Sequence, residues 1–222
     1  MIKNILIAAA FGAVAFGAHA DNLLVNGGMD STYTADSYVY NAPPTSVTNN
    51  YGPVPTQAGI VSGWDGSFVS IASNSGPWGN PSSLAGFSSA ANGAFVAGVQ
   101  ADGVLSQGVD LAAGTYLLTW VDANRGNDQN YAVAFTGGTV DYLGTSAFAT
   151  TGGSGWKTEQ LLFTTTGGAG TLSFTGGTIF GLSDSTSFID NVQLSAVPEP
   201  TSLLLMSVAT LGLLAWRRRA QV

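Results

Sequence analysis

Thirty glycines punctuate this 222-residue chain, and many follow Asn, Asp or another Gly. Asn26-Gly27, Asp65-Gly66, Asn92-Gly93, Asp102-Gly103 and the glycine pairs that begin at 137, 152, 167 and 176 supply the positive φ angles that tight hairpins need. Before the C-terminal tail they leave no room for an amphipathic helix longer than a turn or two. The segments between them alternate instead. Tyr116, Leu118 and Trp120 share one face of a strand over 115–121, Tyr131, Val133 and Phe135 do so over 131–135, and Leu161 with Phe163 and Leu172 with Phe174 repeat the pattern. Short antiparallel strands about ten residues apart predict an all-β fold, a two-sheet antiparallel jelly-roll sandwich. Residues 34–81, rich in Tyr, Asn and Pro, predict long loops with strands around 60–64 and 68–71. Trp64, Trp120 and Trp156, in or beside strands, are expected in the core.

Both ends of the chain read differently. Lys3, the apolar run Ile5 to Phe16 and Ala18-His19-Ala20 have the basic, apolar and small-x-small order of a secretory signal, so residues 1–20 are expected to be removed. At the other end Pro198-Glu199-Pro200 precedes the apolar run Thr201 to Trp216, and Arg217, Arg218 and Arg219 follow it. The 16 residues of this run make a helix of about 24 Å at roughly 1.5 Å per residue, slightly short for a hydrocarbon core yet able to span it. The arginines are the topology stop, holding that end on the cytoplasmic side and everything before Pro198 outside. Residues 21–196 form the exported domain and 197–222 the tail.

Pro198, Glu199 and Pro200, the hydrophobic stretch and the arginine cluster resemble the PEP-CTERM sorting signal of Gram-negative bacteria that make exopolysaccharide. The resemblance implies recognition by an exosortase, a membrane-embedded cysteine protease that cuts near the Pro-Glu-Pro motif. It also implies a membrane anchor that is only transient, and delivery to the cell surface or extracellular matrix. With the signal peptide it makes signal peptidase, Sec-type export machinery and exosortase the expected partners. A permanent single-pass anchor is the alternative.

The exported domain carries Arg125 and Lys157 against twelve acids, because thirteen acids less Glu199 leaves twelve. Such a surface repels phosphate backbones, so nucleic acid is not an expected partner, whereas divalent cations and neutral glycans are. The absence of cysteine excludes thiol chemistry and disulfides, and the one histidine, His19, lies in the signal. Serine-histidine triads and ordinary zinc sites are thereby excluded too.

A second resemblance covers most of the exported domain. Asn22 to Asp30, Val61-Ser62-Gly63-Trp64, Leu105-Ser106-Gln107, Gly114-Thr115-Tyr116, Trp156 and Phe188-Ile189-Asp190-Asn191-Val192 are similar to pieces of the galactose-binding-like jelly roll, a fold of many carbohydrate-binding modules. Met29-Asp30 stands where those modules often carry Phe-Glu.

In a regular strand over 188–194, Phe188, Asp190, Val192 and Leu194 share one face, and an inward carboxylate needs a partner. A calcium ion held by Asp190, Asp30 and backbone carbonyls meets that need, and the resemblance implies such an ion between the first and last strands. Backbone N–H donors, or a bulge that turns Asp190 outward, are the alternative. Trp78 and Tyr51 are the candidate ligand-binding residues: with Tyr33, Tyr38 and Tyr40 they lie in loop-like sequence where rings can stack on sugars, although such rings also cap sandwich ends. Residues 122–128, Asp-Ala-Asn-Arg-Gly-Asn-Asp, read as a solvated loop, with a second cation site or a sugar-binding edge as alternatives. No catalytic motif occurs. The expectation is therefore a non-enzymatic surface or exopolysaccharide-matrix (biofilm) protein that associates with glycan. The alternatives are a structural protein or adhesin working through protein contacts and a polysaccharide-active enzyme.

Overall fold

The computed structural model describes residues 21–31, 38–43, 55–72, 78, 95–126, 128–151, 155–177 and 185–198. The signal segment, Tyr51, the 201–216 helix and the arginine cluster lie outside them. Among the described residues no helix is long and apolar enough to cross a membrane.

Among the described residues eleven strands form two antiparallel sheets: β1 (Tyr38–Tyr40), β2 (Val69–Ala72), β3 (Phe95–Gln100), β4 (Val104–Leu111), β5 (Gly114–Asn124), β6 (Gln129–Phe135), β7 (Val140–Tyr142), β8 (Ala147–Thr150), β9 (Lys157–Thr165), β10 (Gly168–Gly176) and β11 (Thr186–Ala196). One sheet runs β1-β2-β3-β11-β5-β9-β7 and the other β4-β10-β6-β8. Strip β1, β2 and β7 away, and eight strands remain. Counted along the chain, they stand in the order first, eighth, third, sixth in one sheet and second, seventh, fourth, fifth in the other. This is the double Greek key of a jelly roll, as the alternation predicted.

The alternating strands bury one face against each other. Leu118 and Trp120 of β5, Phe163 of β9, Phe174 of β10 and Tyr131 of β6 interdigitate in one cluster between the sheets. Trp120 packs edge-on to Phe174 at 5.4 Å and to Phe148 at 4.8 Å between centroids, a favoured arrangement of aromatic quadrupoles. Trp64 lies in this core as expected, but residues 60–64 form a turn that bridges Val61 to Ser31 and not a strand. The strand expected at 68–71 is β2.

The turn chemistry also departs from expectation in detail. At Asn26-Gly27 the residue with positive φ is Asn26, at 50°. Gly27 is needed because a Cβ there would lie 1.9 Å from the Val192 carbonyl oxygen. At Asp102-Gly103 the left-handed residue is Ala101, while the Gly103 N–H closes the turn on the Gln100 carbonyl at 2.7 Å.

The seven-stranded sheet has a second apolar layer on its outer face, away from the four-stranded sheet. Val69, Ile71, Val96, Ala123 and Phe188 point that way and pack beneath Tyr40 and Trp78, with Tyr38 and Trp156 at the margin. Every other strand residue can be apolar on both faces only because something covers the outer one.

Candidate functional site

The first and last parts of the domain are clasped together on β11. The Leu23 N–H donates to the Leu194 carbonyl at 2.9 Å, the Asn22 amide donates to the Val192 carbonyl at 3.0 Å, and the Val192 N–H returns to the Gly27 carbonyl at 2.8 Å. Gln107 of β4 holds Val25 from the other side, donating to its carbonyl at 2.9 Å and accepting from its N–H at 2.8 Å. Asn26 closes a loop on Asp30: its side-chain oxygen accepts the Asp30 N–H and its amide donates to the Asp30 carbonyl. The Trp64 indole N–H donates to the Asn26 carbonyl at 3.0 Å.

Asp190 sits beside this clasp, fully buried. The register of β11 on β5 shifts between Asp190 and Gln193, with Asn191 at a φ of 49°. That bulge corrects the expectation of a single face: Ile189, Val192 and Leu194 enter the core between the sheets, whereas Phe188 belongs to the outer layer. Asp190 is paired with Val121 and therefore shares the outer face with Phe188. One carboxylate oxygen accepts the Asn191 N–H at 2.6 Å, and the other, though buried, has no partner among the described residues. Burial pushes the Asp190 carboxyl up to about 9, the Asn191 N–H opposes this, and the negative charge of Asp30 adds to the rise.

Of the two predicted ligands, Asp190 is fully buried and Asp30 is exposed, and the negative charge of Asp30 opposes ionisation of Asp190. A hard divalent cation suits this donor set: it would occupy the orphaned oxygen and replace repulsion between the two acids by attraction to both. Among the described residues no third acid or imidazole joins them, so backbone carbonyls or water would complete the shell.

The outer aromatic layer lies toward the opposite end of β11. Trp78 is 4% exposed, so its ring backs the layer and is not an open platform. Tyr38 and Tyr40 meet it edge-on at 5.4 and 6.1 Å, and the Arg125 guanidinium carbon lies 4.6 Å from its centroid. Trp156 tilts against Phe188 at 6.4 Å. Tyr38 and Trp156 are half-buried and present the accessible rings. The Tyr40 hydroxyl donates to the Gln100 side chain at 2.5 Å, while the Trp78 indole N–H and the Thr186 hydroxyl, both buried, have no partner among the described residues. The margin of the layer thus offers apolar ring faces, and its two unpartnered polar atoms are buried.

Sequence reasoning placed residues 122–128 in solvent, and the structure corrects this for the first three. Asp122 and Asn124 are 1% exposed and complete β5. The Asp122 carboxylate accepts from the Tyr131 hydroxyl at 2.5 Å, and that hydroxyl accepts the Trp120 indole N–H at 2.8 Å. Burial raises the Asp122 carboxyl to about 6, against the Tyr131 hydrogen bond, and burial also drives the Tyr131 phenol upward. Asn124 bonds Thr150, whose hydroxyl is 2.8 Å from that of Ser187, so this end of the core is plugged by polar pairs. Arg125 was not anticipated as a partner of Trp78; the Tyr-Val-Tyr alternation at 38–40 was the available sign that a strand carries those rings.

Residues 196–219 match the model of the PEP-CTERM protein-sorting motif. The motif is a C-terminal sorting signal and marks an exported protein. No curated protein matches the sequence. Among solved structures the chain is similar to TmCBM61 in complex with β-1,4-galactotriose, at 22% identity over 61% of this chain and 90% of that one, with a TM-score of 0.38. It is also similar to the CBM22-1 xylan-binding domain from Paenibacillus barcinonensis Xyn10C, at 10% identity, 81% and 97% coverage and a TM-score of 0.42. A third is a putative sugar binding protein from Bacteroides thetaiotaomicron, at 9% identity, 80% and 100% coverage and a TM-score of 0.41.

Proposed function

We propose that this chain is an exosortase substrate whose jelly-roll domain is displayed at the cell surface or in the exopolysaccharide matrix, where it associates with glycan without catalysing a reaction. The sorting motif at 196–219 carries the first half of this reading, and the outer aromatic layer supports the second. Tyr38 and Trp156 offer rings, and Trp78 and Arg125 stiffen the layer behind them. A calcium ion between Asp30 and Asp190 would tie the N-terminal clasp to β11 and has a structural role in this reading.

Processing is tested by mass spectrometry of surface material. The mature chain should begin at Asp21 and lack 203–222, and Glu199→Ala should leave a longer membrane-held form; an intact Arg-rich terminus on protein from wild-type cells would overturn it. Binding is tested by retention of residues 21–197 on the host polysaccharide. Loss of a stacked ring in Tyr38→Ala or Trp156→Ala should weaken retention by about 1–3 kcal/mol. Unchanged retention in both variants places the glycan elsewhere.

A further inference from the structure

The outer face of the seven-stranded sheet changes character toward the end where the chain leaves it. Leu117 of β5 is paired with Leu162 of β9 on one side and Ser195 of β11 on the other, and the Leu143 N–H bonds the Leu162 carbonyl at 2.9 Å. Residues directly opposite in antiparallel strands share a face, so Leu143, Leu162 and Leu117 form a row across three strand positions on the outer side. Leu143 is 54% exposed and Leu162 36%, and no described segment covers them. Their neighbours on this face, Thr115, Thr119, Gln160, Thr164 and Ser195, are uncharged, and Asp141 at the sheet edge is the nearest acid by register. In a domain with twelve acids and two bases, a leucine-bearing face with Asp141 as its one edge carboxylate is a local exception.

Position says what it faces. The Val197 N–H bonds the Thr115 carbonyl at 2.8 Å, so the chain departs two residues along β5 from Leu117, and Val197, 37% exposed, continues the apolar edge. Four residue steps of at most ~3.6 Å then separate Val197 from Thr201, where the apolar run of the tail begins, a reach of roughly 14 Å. The start of the domain is at the same end, since Leu23 bonds Leu194. Both segments read as membrane-held during export therefore leave from one end of the sheet.

We propose that, before the tail is cut, the Leu117, Leu143 and Leu162 face lies on the outer surface of the bilayer that holds the tail, with leucines in the interfacial layer and the acidic remainder turned away. The proposal rests on the reading of 201–216 as a membrane helix. Contact would fix the orientation of the Pro198-Glu199-Pro200 segment relative to the membrane. A bilayer fits better than a second copy, because the tail brings the patch to lipid without any encounter.

The chain has no cysteine, so Leu162→Cys and, on the exposed face of the other sheet, Ala132→Cys each carry a single fluorophore. The full chain is reconstituted at low protein density in vesicles of phosphatidylethanolamine with a minor share of phosphatidylglycerol, with nitroxide quenchers on the lipids. Flotation reports the anchor, and quenching reports the face. Severalfold stronger quenching at 162 than at 132, reduced to the level at 132 by Leu117→Ser with Leu143→Ser while flotation persists, is the expected result. Equal quenching in chains that float overturns the docking and leaves the anchor standing. Failure to float overturns the anchor and the docking with it. A label at 162 that is unquenched yet shielded within a cross-linkable dimer assigns the patch to a second copy and overturns the proposal as well.

Discussion

The two ends of one sheet face differ in what covers them and not in how apolar they are. Near the start of β11 the outer face carries Phe188, Val69, Ile71 and Val96 under Trp78 and Tyr40, all nearly or fully buried. Toward its end, Leu117, Leu143 and Leu162 point the same way and stay half-buried or exposed. The first group is a small core of its own, closed by the chain's own segments. The second is a surface whose burial awaits another partner. A large side chain is stabilising only when water is removed from it, so the apolar residues at the two ends carry different weight.

The sharpest way to break this contrast is truncation at each end. Phe188→Ala should lower unfolding stability by about 3–5 kcal/mol in denaturant titrations, by lost transfer energy and a residual cavity. Leu162→Ala should change it by about 0.5 kcal/mol or less. Equal losses would mean that the leucine row is covered in solution.

Calcium should act between the two ends, at Asp190. An ion that binds only the folded domain stabilises it by about 2.7 kcal/mol at a hundredfold excess over its dissociation constant, visible as a rise in melting midpoint that a chelator reverses. Magnesium, smaller and slower to shed water, should substitute poorly. Asp190→Asn should abolish the response, and Asp102→Asn should leave it unchanged. Melting that ignores both calcium and chelator would assign Asp190 to backbone donors alone.

The covered end should also respond to pH through Asp122. Burial holds its carboxyl at about 6 in the folded domain, above the ordinary aspartate range, so the folded state holds the proton more tightly than the unfolded chain. The associated stability is present below the unfolded value and is lost as pH rises through about 6. With calcium held saturating, stability should fall by roughly 3 kcal/mol across that window, and Asp122→Asn should flatten this part of the profile. A wild-type profile that rises there would contradict the burial of this carboxyl.

The smallest effect concerns the lid of the aromatic layer. Arg125→Ala removes a cation from the face of Trp78 and should cost about 0.5–1 kcal/mol, with a matching loss of the salt-insensitive part of stability. No change would mean that Arg125 only rests on the ring.

Much of this architecture is legible in residue order. The period-two alternation at 115–121, 131–135, 161–163 and 172–174 reports a half-buried strand wherever it occurs, because successive side chains leave a strand on opposite sides. The sorting motif is equally legible, since it is read as a short linear segment and needs no fold. The 60–64 strand failed because Ile60, Val61 and Trp64 are buried by a turn, and burial alone does not distinguish turn from strand. The buried position of Asp122 failed for the converse reason: a run of polar residues looks solvated until Tyr131, from the other sheet, supplies the hydroxyl that makes burial tolerable.

What residue order determined, then, is the class of fold, the acid-rich and cysteine-free chemistry and the sorting signal. What only the tertiary structure decided is direction. A bulge of one residue step at 190–193 separates Phe188 and Asp190 from Val192 and Leu194, which no local pattern announces because it depends on the register of β5 alongside. The covering of Trp78 and the exposure of Leu162 are decided in the same way, by which distant segment comes to lie on a face whose apolar character the sequence shows but whose partner it does not.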